Sequence, residues 1–176
     1  MTPPTPRVVV ASQNQIGESP VWSTSRNALY WVDVEGRLIQ RWQTDDASTR
    51  RWTVAEPVGC IGLRGRGGLV GACRTGFFFF DETTGLPTPI ADPEADQPDN
   101  RFNDGKVDRR GRFWAGTRNF RNTEMASGKL YRLNADWPIH IMEEGMRCHN
   151  GGARDRDERL MYRCARRRRA GRDDVT

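Results

Sequence analysis

Residues 112–117, Arg112-Phe113-Trp114-Ala115-Gly116-Thr117, read as one β-strand, and a second run, Lys129-Leu130-Tyr131-Arg132-Leu133, follows the Ser127-Gly128 turn. The same unit recurs upstream. Gly68-Leu69-Val70-Gly71-Ala72-Cys73 leads through Thr75-Gly76 to Gly76-Phe77-Phe78-Phe79-Phe80-Asp81, and Ala28-Leu29-Tyr30-Trp31-Val32-Asp33 leads through Glu35-Gly36 to Arg37-Leu38-Ile39-Gln40-Arg41-Trp42. Downstream, Arg159-Leu160-Met161-Tyr162 opens a fourth unit. Aligned on Trp31, Ala72, Trp114 and Tyr162, the units are 41, 42 and 48 residues apart. A period of about 40 to 50 residues is that of four-stranded propeller blades. Unrelated hairpins of a β-sandwich need not recur at such an interval.

The rest of the composition agrees with an all-β chain. Helical periodicity is hard to find, and 18 Gly and 10 Pro punctuate the 176 residues every few positions. A hydrophobic content of 36% is enough to bury a core. No apolar run reaches the roughly 18 to 20 residues of a membrane span, and Met1 to Pro6 lacks the apolar stretch of a secretion signal, so the cytoplasm is the expected location. Cys60, Cys73, Cys148 and Cys164 show no paired spacing, and Cys148-His149 with His140 falls short of a zinc set. The net charge of +5 is concentrated at one end. Residues 154–176 carry nine Arg against five acids, whereas residues 1–153 hold 19 bases and 18 acids and lack the broad basic face of a nucleic-acid binder.

The repeat breaks after Tyr162. Arg163 to Arg172 shows no apolar alternation, so the expected organisation is a partial propeller over 1–162 and an Arg-rich tail over 163–176. Such a tail is either a phosphate-binding extension or a departure from the original reading frame, and the abruptness of the break favours the second.

Three places carry chemistry: Ile16-Gly17-Glu18-Ser19-Pro20-Val21-Trp22, Asn100-Arg101-Phe102-Asn103-Asp104-Gly105-Lys106-Val107-Asp108, and His149-Asn150-Gly151-Gly152. Each alone reads as a loop acid or a turn. Together they occupy similar places in successive repeats: Glu18 is 13 residues before Trp31, Asn103 is 11 before Trp114, and Asn150 is 12 before Tyr162. Equivalent positions in successive blades face one central channel.

These runs, with "GRFWAGT", "GKLYRL" and "HNG…DERLMY", resemble the family of senescence marker protein, gluconolactonase and luciferin-regenerating enzyme over roughly residues 7–162. The resemblance implies a β-propeller of the six-bladed type, truncated here to about three and a half blades, that holds one divalent metal and hydrolyses sugar lactones. It implies Glu18 and Asn150 as metal ligands and Arg101, Asn103 and Asp104 as substrate-binding residues, with calcium the leading ion and zinc, manganese or magnesium its alternatives. The family's third ligand, an Asp that doubles as general base, falls beyond Thr176, so no catalytic base is expected within the chain. Arg121 stands where some members place a substrate-contacting Glu, with Glu124 the nearest acid, and "NGGARDRDE" replaces an apolar strand lead-in. The competing expectations are a non-catalytic propeller fragment or binding module, and a nucleic-acid binder acting through the basic tail.

Overall fold

The computed structural model describes residues 5–154, 157 and 161–167. Its strands follow one another as antiparallel meanders. The first sheet is β1 (Gly17–Ser23), β2 (Ala28–Asp33), β3 (Leu38–Gln43) and β4 (Thr49–Thr53), and the second is β5 (Val58–Leu63), β6 (Leu69–Cys73), β7 (Gly76–Asp81) and β8 (Leu86–Ala91). The third contains β9 (Asn100–Val107), β10 (Phe113–Asn119), β11 (Gly128–Leu133) and the first half of β12 (Ile139–Arg154). The second half of β12 leaves β11 and pairs with β13 (Met161–Arg167), from Cys148 opposite Arg166 to Arg154 opposite Met161. One strand therefore ends the third blade and begins the fourth. The fold is part of a β-propeller, three blades and half of another.

Trp31, Ala72, Trp114 and Tyr162 lie on β2, β6, β10 and β13, so the repeat marks the second strand of each blade. The boundary expected at residue 162 falls inside β13, because pairing with β12 uses backbone groups and a strand at a sheet edge tolerates charged side chains. Residues 168–176 lie outside the described residues.

Blade two is covered on both faces, which explains its continuous apolar runs. Alternate side chains of β7 point to opposite sides of the sheet. Phe78 and Phe80 join Tyr30, Val32, Ile39 and Trp52 of blade one, and Trp52 meets Phe80 edge-on at 5.6 Å. Phe77 enters the other interface, with Phe102 at 4.7 Å, Phe113 at 6.0 Å and Tyr131 at 6.5 Å. A third cluster, Trp114, Leu130 and Met146, lies on the far face of blade three. Strand β8, by contrast, is largely exposed and carries Pro87 and Pro89, which deny hydrogen-bond donors to an outer neighbour.

A carboxyl is buried beside the second interface. Glu94, in the connection from β8 to β9, accepts hydrogen bonds at Oε1 from Thr117 Oγ1 (3.0 Å) and the Tyr131 hydroxyl (2.9 Å). Burial raises its pKa; hydrogen bonds from Asn100, Tyr131 and Thr117 and the charge of Lys129 only partly offset this. Burial and the neighbouring Glu94 likewise raise the Tyr131 phenol.

Two outcomes follow for stability. Phe77→Ala lowers the unfolding free energy by about 3 to 5 kcal/mol, whereas Leu86→Ala on exposed β8 shifts it by less than about 0.5 kcal/mol, both read by urea denaturation. Because the folded protein holds the Glu94 proton more tightly than the unfolded chain, this stabilisation is full below the ordinary value of 4.5 and is lost as pH rises through the raised folded value. Subtracting the stability profile of Glu94→Gln from that of the native chain isolates this downward slope with rising pH; parallel profiles refute it.

Candidate functional site at the inner strands

The first strand of every blade is interrupted by a bulge at a similar height. The register shifts between Glu18 and Val21 in β1, between Val58 and Cys60 in β5, between Asp104 and Phe102 opposite Gly116/Thr117 in β9, and between Asn150 and Ala153 in β12. An extra residue bends a strand and re-aims its side chains. Asn103-Asp104-Gly105 and Asn150-Gly151 are therefore bulged strand segments, not the isolated turns that each would suggest alone.

Local bonds fix the first bulge on both sides. Ser19, at φ +53°, is buried; its Oγ accepts from Ile61 N at 2.9 Å and donates to Ile61 O at 3.4 Å, stitching β1 to β5. Ahead of Glu18, the Asp33 carboxylate accepts backbone N–H bonds from Gln15 (2.9 Å), Ile16 (3.0 Å) and Gly36 (3.0 Å). Burial alone would lift the Asp33 pKa, but these three donors outweigh it and hold the group below its usual value. Glu18 itself is exposed.

The third and fourth inner strands are tied at the expected residues. Asn103 Nδ2 donates to His149 O at 3.0 Å, and Asp104 Oδ2 accepts from Gly151 N at 2.7 Å. Arg101 Nη1 donates to Phe102 O at 3.0 Å. Burial, then the like charge of Arg118 across the ladder, lowers the pKa of the Arg101 guanidinium, while Glu35, Cys148 and Glu18 act in the opposite sense. Arg101 thus lies within the electrostatic reach of Glu18. Blade two contributes Gly59 at the corresponding place, and a Cβ there would meet Phe102 O at 2.3 Å. Close backbone approach excludes a side chain from that quarter of the site.

Glu18, Asp104, Gly151 and Gly152 line one cavity of about 590 Å³, which continues past Trp22, Lys106 and Val107. Asn150 is exposed, and its Oδ1 accepts from Gly151 N at 3.0 Å; among the described residues no hydrogen bond joins it to Glu18. His149 is 1% exposed, and neither ring nitrogen has a hydrogen-bond partner among the described residues. Its ring fits because residue 116 is glycine, where a Cβ would lie 2.1 Å from the His149 Cβ. Burial lowers the His149 pKa, with Asp104 opposing. Among the described residues no three His, Cys, Asp or Glu side chains gather as a metal cluster. What the cavity brings together is two carboxylates, Glu18 and Asp104; Arg101, Asn103 and Asn150 are not among its lining residues.

Sequence reasoning overlooked Asp33 and Ser19. The first had a signal, an acid at the end of an apolar strand and three residues before Gly36; the second, a serine at positive φ, had none beyond the following proline.

Comparison with known proteins identifies the family. The family model described as the SMP-30/Gluconolactonase/LRE-like region matches residues 16–168. The 6-deoxy-6-sulfogluconolactonase of Pseudomonas putida is 34% identical over 156 residues, covering 89% of this chain and 53% of its own length. Regucalcin of Danio rerio is 34% identical over 155 residues, with 88% and 52% covered. Among solved structures, a calcium-binding protein, regucalcin, from Agrobacterium tumefaciens superposes with a TM-score of 0.83 at 22% identity, over 90% of this chain and 53% of that one. The chain spans about half the length of the curated relatives it matches. With the matched region extending over most of its residues, the chain belongs to the SMP-30/gluconolactonase/LRE-like family.

Proposed function

We propose that the inner-strand site serves metal-dependent hydrolysis of a sugar lactone, with Glu18 and Asn150 as ligands of a divalent ion and Arg101, Asn103 and Asp104 as the substrate-binding residues. The observation that carries this reading is the row of bulges that brings Glu18, Asp104 and Gly151 to one cavity, in a chain of the gluconolactonase family. The donor chemistry fits a hard cation: a carboxylate and an amide oxygen suit calcium, magnesium or manganese better than zinc, with calcium supported by the calcium-binding relative. Such an ion, when bound, polarises a lactone carbonyl and lowers the pKa of water.

The chain's own groups do the rest. Arg101, a guanidinium beside the inner strands, stabilises negative charge that develops on the acyl oxygen. Asn103 and Asp104, held by the backbone of His149 and Gly151, orient the sugar hydroxyls without having to reorganise. Cytoplasmic action is part of the same reading, in keeping with four free cysteines.

A second reading is favoured by one observation: of the two proposed ligands, Glu18 lines the cavity and Asn150 does not. In that reading the chain is a non-catalytic propeller module that binds the ion or the sugar without turnover.

Assays on glucono-δ-lactone after chelation and re-addition of calcium, manganese or zinc, paired with calorimetric metal titration, separate the two. Under the lactonase reading turnover returns with metal, Arg101→Ala lowers kcat/KM by about 100-fold or more, and Glu18→Ala and Asn150→Ala each weaken metal binding about tenfold or more and lose activity. Metal binding without turnover supports the module, and metal affinity indifferent to both ligand substitutions ends the ligand assignment.

A further inference from the structure

Next to the Glu18 cavity, across Leu63 and Val107, which line both, the turns that follow β5, β9 and β11 surround a second depression of about 310 Å³. Its walls include Phe79 and Phe113, with Arg64, Arg66, Asn134 and Trp137 around them. Trp137 is the unusual member. It sits at φ +88° immediately before Pro138, a conformation that glycine adopts freely and a bulky side chain does not. The turn holds it there, since Trp137 N donates to Asn134 O and Asn134 N donates to Pro138 O, each at 3.0 Å.

Burial does not account for this choice of residue. Trp137 is 58% exposed, and its indole meets the Phe79 ring edge-to-face, with centroids 5.4 Å apart. The Arg64 guanidinium lies 3.7 Å over the Phe79 ring. Among the described residues no carboxylate comes within ion-pairing distance of Arg64 or Arg66. Asn134 Oδ1 is closed to solvent and has no hydrogen-bond donor among the described residues. A strained, exposed indole and two guanidiniums without a carboxylate partner among the described residues thus border one hollow of ligand size.

We propose that this depression binds a small planar aromatic carboxylate, a site separate from the lactone site. The ring stacks on Trp137 beside Phe79, and the carboxylate pairs with Arg64 and Arg66. The geometry requires a rigid, flat ligand because the turn fixes the indole.

The test is calorimetric titration of the whole chain with 6-hydroxy-2-naphthoate and, as a neutral match, 6-hydroxy-2-naphthamide. The acid binds about tenfold or more tightly than the amide, as expected of charge-assisted pairing. Arg64→Gln/Arg66→Gln abolishes that preference. Trp137→Gly relieves the backbone, so its Tm is at or above that of the native chain, yet it loses the ligand. Glu18→Ala leaves naphthoate affinity unchanged, which separates this site from the lactone reading. Equal binding of acid and amide, native affinity in Trp137→Gly, or no binding of either compound overturns the proposal. Should Trp137→Gly fail to fold, the arginine double variant still decides it.

Discussion

Blade two is held from both sides, and the remaining architecture depends on that double contact. Phe78 and Phe80 fill one interface and Phe77 the other, so a single six-residue strand joins three sheets into one body. Burying an aromatic ring of this kind contributes about 3 to 5 kcal/mol by the usual measure of its removal, a large share of the 5 to 15 kcal/mol that separates folded from unfolded domains. The inner strands gain their relative positions from this packing. Ser19 can reach Ile61, and Asn103 can reach His149, because the blades behind them are already in contact.

Rigid packing behind and irregular backbone in front is a division that suits a binding site. Regular ladders leave each strand residue facing a neighbouring blade or the other side of its sheet, and neither direction serves a ligand. The bulges of β1, β9 and β12 break that alternation where polar side chains stand, and buried groups restrain the first of them: Asp33 through three backbone donors, Ser19 through both backbone atoms of Ile61. The local conformational cost at Ser19 is borne by the strands around it.

Those same features decide what could be read in advance. The middle strands were legible, because Ala28–Asp33, Gly76–Asp81 and Phe113–Asn119 carry apolar residues that two blades compete to bury. The outer strands β4 and β8 were not, since exposure removes the hydrophobic signal and leaves Thr-Arg-Arg and Pro-Thr-Pro. The inner strands were hidden for a different reason. A bulge shifts the period-two pattern by one residue, so Asn100–Val107 reads as a polar turn although it is the most central strand of its blade. The spacing of Glu18, Asn103 and Asn150 survived this disguise because it depends on blade length alone; the hydrogen bonds that hold them do not show in spacing. At Arg163 the pattern ended, yet the backbone continued to pair with β12 to Arg167, which only a partner strand could reveal.

Strand β12 has a mechanical consequence. Elsewhere in the chain, passage from one blade's rim to the next blade's centre goes through a separate connecting segment; here it is made within one strand, which bends at Gly145 (φ +76°) and is then tethered where Arg118 stands opposite Cys148. The periphery of the third blade and Asn150 are therefore two arms of a single strand, and the angle between them is set at Gly145, where the backbone is left-handed.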